Sequence, residues 1–69
     1  MTAYEFDFWS PILGCDATRI SMTDRAGHEY FAIVKRDYDA QFYRDRKVAI
    51  EKIEKAIEAG LDPGEVRWR

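Results

Sequence analysis

DRKVAIEKIEKAIEAG, residues Asp45–Gly60, decides the fold. Ile50, Ile53 and Ile57 recur at intervals of three and four, with Ala49, Ala56 and Gly60 beside them and Glu51, Lys52, Glu54, Lys55 and Glu58 outside. One apolar ridge in a charged cylinder predicts a helix laid on a core. The ridge extends upstream through Phe42 or Tyr43, so the first turn can begin near Ala40. Asp39 and Asp45 are both competent N-caps, because a short carboxylate accepts from the free N–H groups of a first turn. Gly60 suits the left-handed residue after a helix, Leu61 can fold back on the last turn, and Pro63 cannot continue it. Arg44, Arg46 and Lys47 near the start and Glu54 and Glu58 near the end oppose the macrodipole, at about 0.3–1 kcal/mol per charge. Asp37, Asp39 and Asp45 can neutralise the basic trio locally; otherwise the trio is a docking patch for an anionic partner.

Upstream, HEYFAIVK (His28–Lys35) predicts a strand with Phe31 and Ile33 on one face and Tyr30, Ala32 and Val34 on the other. A strand apolar on both sides needs both covered. One helix covers one face, which leaves the other to the Ile12-Leu13 loop or to a second copy of the chain. Before it, TRISMT (Thr18–Thr23) alternates, and Asp24-Arg25-Ala26-Gly27 is a hairpin connection. YEFDFW (Tyr4–Trp9) alternates too, which predicts Tyr4, Phe6 and Phe8 inward and Glu5 and Asp7 outward. Pro11 and Gly14 make Ser10–Asp16 a loop, with Ile12 and Leu13 tucked under the sheet. Downstream, EVRWR (Glu65–Arg69) gives a short last strand with Val66 and Trp68 on one face. A right-handed crossover sets it parallel to the third strand, either beside that strand or at the far edge next to the first. The expectation is a single α+β domain spanning Met1–Arg69. Its order is β-β-β-α-β, with a three- to four-stranded, mainly antiparallel sheet and one helix packed on one face.

The 69 residues carry 11 basic and 13 acidic side chains, net −2. Up to Asp39 seven acids face four bases; from Ala40 on, six acids face seven bases. The sheet half is therefore acidic and the helix start basic. Cys15 is the sole cysteine, so no internal disulfide forms, which fits a reducing cytoplasm. No apolar run approaches the roughly 20 residues of a membrane span. His28 is the single histidine and has no partner of catalytic type near it in sequence. Asp37, Asp39 and Asp45 lack the glycine and terminal glutamate of a calcium loop. No glycine-rich phosphate loop and no zinc spacing occurs. These readings argue against an enzyme, a metal or a cofactor, and the charge balance argues against direct nucleic-acid binding.

YFAIVKRDYDAQFY (Tyr30–Tyr43), followed by a helix, resembles the strand-turn-aromatic start of antitoxins of the HicB type, over about a fifth of the chain. That family has a further strand and a glycine-rich segment before its helix; this chain has neither. A small, acidic, cysteine-poor α+β chain with Glu5, Asp7, Asp24, Glu29, Asp37 and Asp39 is also similar in character to the phage-encoded inhibitors called anti-CRISPR proteins. That resemblance implies a binding mode: carboxylates presented where nucleic-acid phosphates would lie. The function expected is thus a non-enzymatic cytoplasmic inhibitor that blocks a basic surface of a larger protein or ribonucleoprotein complex. Those six carboxylates would supply charge complementarity and Tyr38 and Tyr43 the anchors. The alternatives are a homodimeric module joined through Tyr30, Ala32 and Val34, or an antitoxin holding a toxin.

Overall fold

The isoleucine ridge does form a helix, α1, over Ala40–Ala59. In the computed structural model, which describes residues 3–36 and 39–69, it lies across a sheet of four strands. These are β1 (Tyr4–Ser10), β2 (Cys15–Thr23), β3 (Glu29–Lys35) and β4 (Gly64–Glu65). They lie side by side in chain order, with β1–β2 and β2–β3 antiparallel and β4 parallel to β3. The α+β class, the element order and the single covering helix all follow the sequence reading. The last strand takes the position beside the third.

Asp39 is the N-cap: its Oδ1 accepts from Gln41 N at 2.8 Å. Asp45 sits one turn inside, 8% exposed, accepting from Gln41 Nε2 and from Arg69. At the other end Gly60 takes φ 68°, and its neighbour Leu61 donates its N–H to Ala56 O at 3.1 Å. Leu61 keeps its side chain largely in solvent, but its carbonyl accepts from the buried Tyr30 hydroxyl at 2.8 Å.

Phe42, Ala49, Ile53 and Ala56 of α1 pack on Ile20 and Met22 of β2 and on Tyr30, Ala32 and Val34 of β3. Val66 and Trp68 close the side of this core; Trp68 Nε1 donates to Ile33 O at 2.9 Å. Of the expected last strand, Glu65–Arg69, only Glu65 pairs as a ladder, together with Gly64 before it, and Val66 N adds one bond to Phe31 O at 2.7 Å.

Three expectations are overturned. A helix is about 10 Å across and strands lie about 4.8 Å apart, so one helix covers about two strands. Here those are β2 and β3, and apart from an ion pair α1 does not reach β1. Tyr4, Phe6 and Phe8 therefore do not point inward. Residues opposite each other in a ladder share a face, and Phe6 is opposite Arg19, which is opposite Ile33. This places the β1 aromatics on the uncovered face, and Glu5 and Asp7 on the helix side. Ile12 and Leu13 are not tucked away but 94% and 50% exposed at the tip of the β1–β2 hairpin. Finally, Tyr30, Ala32 and Val34 lie under α1, at most 3% exposed, so no second copy can join there.

Candidate functional site

The uncovered face is built by alternation in three strands. β1 contributes Tyr4, Phe6 and Phe8, and β3 contributes Phe31 and Ile33; between them β2 contributes Ala17, Arg19 and Ser21. Two apolar ridges thus flank a lower strand. The result is a shallow groove of about 370 Å³ lined by Phe6, Phe8, Arg19, Phe31 and Ile33. Tyr4 is 74% exposed and Phe6 50%, and no residue of β1 belongs to the hydrophobic core. A strand carrying four aromatics that contributes nothing to its own core is the most unusual feature of the chain.

Arg19 is the groove's polar element. Its guanidinium lies 4.1 Å from the Phe31 ring centre and 5.9 Å from that of Phe6, and it donates to Glu29 Oε1. The rings attract the cation through their negative faces, and the carboxylate balances its charge. The Arg19 Nε is buried without a hydrogen-bond partner among the described residues. Ile33 also borders a second hollow, of about 420 Å³, that runs past Leu13 toward Val66 and Trp68. Lys35, Glu65, Arg67 and Arg69 line the same hollow, so beyond Ile33 the apolar surface gives way to charged side chains.

The carboxylates expected to form an acidic face are scattered, and most are engaged. Glu5, on the helix side, accepts from Arg46 Nε at 2.7 Å and from the same guanidinium's Nη2. That bond holds the Glu5 carboxyl below the usual range, opposed by partial burial, and raises Arg46 further. Asp7 accepts from Arg36 Nη1 at 2.8 Å and from Thr18 Oγ1 at 3.0 Å. Asp24 caps its own turn, accepting from the backbone N–H groups of His28 and Ala26. The His28 backbone bond is the main cause of its lowered pKa. Glu29 serves Arg19 on the aromatic face, and Asp39 caps α1. Asp37 and Tyr38 lie outside the described residues. Tyr43 is 67% exposed on α1, edge-on to Phe42 and remote from the groove. A single acidic sheet face is therefore not what the fold builds. Of the basic trio, Arg46 is committed to Glu5, while Arg44 and Lys47 are exposed.

His28 is exposed, with Nδ1 3.2 Å from Asp24 Oδ2, in a pair that belongs to the turn. Cys15 is half-buried at the start of β2. Among the described residues no three metal-ligating side chains gather, and none of the described helices is long and apolar enough to cross a membrane. The sequence pointed elsewhere than the aromatic groove, although one signal for it was present: the two-sided apolarity of β3 asks for a second cover. No family model matches the chain, and no curated protein or solved structure shows significant similarity to it.

Proposed function

We propose that this chain is a non-enzymatic protein-binding module that docks through its uncovered sheet face. The observation that carries the reading is the groove between the Phe6–Phe8 and Phe31–Ile33 ridges, with Phe6 exposed, Phe8, Phe31 and Ile33 half-buried, and no covering layer over them. Contiguous apolar surface of this kind marks an interaction site, and aromatics with an arginine at their centre are the residue types that dominate binding energy. An inhibitor of a larger complex, or an antitoxin seated on a toxin, would use this face. Carboxylates offered as phosphate mimics would have to break ion pairs first, since Glu5 and Asp7 already hold arginines. The lone Cys15 supports a reducing, cytoplasmic setting.

A photo-crosslinking side chain placed at Phe6 or Ile33 tests the reading in cells that express the protein. Protein adducts from these positions, and none from Glu51 on the outer side of α1, are expected. Adducts from Glu51 alone, or from no position, would remove the face from consideration.

A further inference from the structure

We propose that the outer edge of β1 is a second docking site, and that its occupant is an extended segment of another protein, which joins the sheet as a further strand beside β1. The site is the edge of the sheet rather than its uncovered face, and the inference stands apart from what docks on that face.

The ladders fix which main-chain groups are open. Between β2 and β3, the Arg36 N–H donates to Asp16 O at 2.9 Å and the Asp24 N–H to His28 O at 3.0 Å. Even-numbered residues of β2 therefore bond to β3. Adjacent residues of an antiparallel strand turn their N–H and C=O to opposite neighbours. Odd-numbered residues of β2 thus bond to β1, at their partners Tyr4, Phe6, Phe8 and Ser10. Glu5, Asp7 and Trp9 are left with N–H and C=O turned away from the sheet. Such a row of alternating donors and acceptors is complementary to an extended backbone.

The two edges of the sheet differ. At β3 the outward groups are used: Val66 N donates to Phe31 O at 2.7 Å, Trp68 Nε1 donates to Ile33 O at 2.9 Å, and β4 pairs beside them. β1 has none of the devices that shut an edge. It contains no proline or lysine and pairs with β2 without a bulge. Among the described residues, no other element lies beyond it. Glu5 and Asp7 are drawn back over the sheet by Arg46 and Arg36, and Trp9, on the same row, is 63% exposed.

Side chains decide what kind of segment fits. On one side it continues the row of Tyr4, Phe6 and Phe8, which calls for an apolar residue at every second position. On the other it meets Glu5 and Asp7, whose carboxylates repel acids and accept from threonine, lysine or arginine. The same charges count against a second copy of this chain. A two-fold pairing of β1 with itself is antiparallel, and its register of full overlap sets Asp7 against Asp7.

Random peptides the length of β1, displayed on phage and selected on the intact protein, test this. Selected sequences should alternate apolar residues with threonine, lysine or arginine. A synthetic copy of one should slow deuterium exchange at the Glu5, Asp7 and Trp9 amides of the wild type. Asp7→Pro removes an outward N–H that no ladder uses, so the fold is retained, and affinity should fall about tenfold or more. Asp7→Ala loses the same side chain but keeps that N–H, and should lose no more than about threefold. Ile33→Ser, on the uncovered face, should bind the peptide as the wild type does. Should Asp7→Pro not fold, exchange in the wild type decides. Failure to select any peptide, selected peptides without the two-residue period, or protection confined to other amides would overturn the proposal. So would equal affinities for folded Asp7→Pro and Asp7→Ala, or a loss in Ile33→Ser as large as in Asp7→Pro. Protection of the same amides in peptide-free protein that sediments as a dimer would overturn the occupant in favour of a second copy.

Discussion

Glu5 and Arg46 are joined across the overhang between β1 and α1, and the direction of the carboxyl shift fixes how the pair responds to acid. The folded Glu5 pKa lies below 4.5, its ordinary value, so the stabilisation is present above that pH and lost as pH falls through the folded value. Both side chains are roughly a third exposed, and solvent screening limits the effect to less than about 1 kcal/mol. Glu5→Gln should therefore lower the urea midpoint at pH 7, and the gap to wild type should close as pH drops below 4.5. A gap that widens in acid would show that the pair does not stabilise the fold. At this scale the sequence offered residue types but not partners. Glu5 and Asp7 were readable as a carboxylate pair on one side of a strand. Their arginines lie 41 and 29 residues away, and only the folded chain brings them together.

Among the elements, α1 was the most legible, because its ridge, its Gly60 stop and its Asp39 cap are local. The choice between Asp39 and Asp45 depended on how far upstream the ridge ran, and Phe42, at 6% exposure, shows that it ran to the first turn. Asp39→Ala should destabilise the protein by about 1 kcal/mol, with the loss confined to the first turn, as read by chemical denaturation and helix amide shifts. Ile53 is fully buried between α1 and the sheet, so Ile53→Ala should cost about 2–5 kcal/mol. Ile12, at 94% exposure, is the contrasting case: Ile12→Ser should change stability by no more than about 0.5 kcal/mol. Equal effects at the two isoleucines in thermal melts would place the core wrongly. β1 was legible only by half. Its alternation shows which residues share a side, but not which side faces the core. That depends on where a helix narrower than the sheet comes to rest, and here it rests chiefly on β3 and reaches only as far as β2.

For the whole molecule, the order of elements and the single covering layer could be read ahead of the coordinates, because each element carries its own period and its own stops. The neighbour of the last strand and the identity of the uncovered face could not, since both depend on packing between segments far apart in sequence. The overhang of β1 has a further effect, on motion. This strand is held by its ladder with β2 and by the bonds of Glu5 and Asp7, with no side chain anchored beneath α1. It can detach while the Ile20–Ala32–Ile53 interior stays closed, so it forms a cooperative unit of its own. Amide protons shared between β1 and β2 should then trade for deuterium sooner than those between β2 and β3, at a rate that tracks local opening rather than global unfolding.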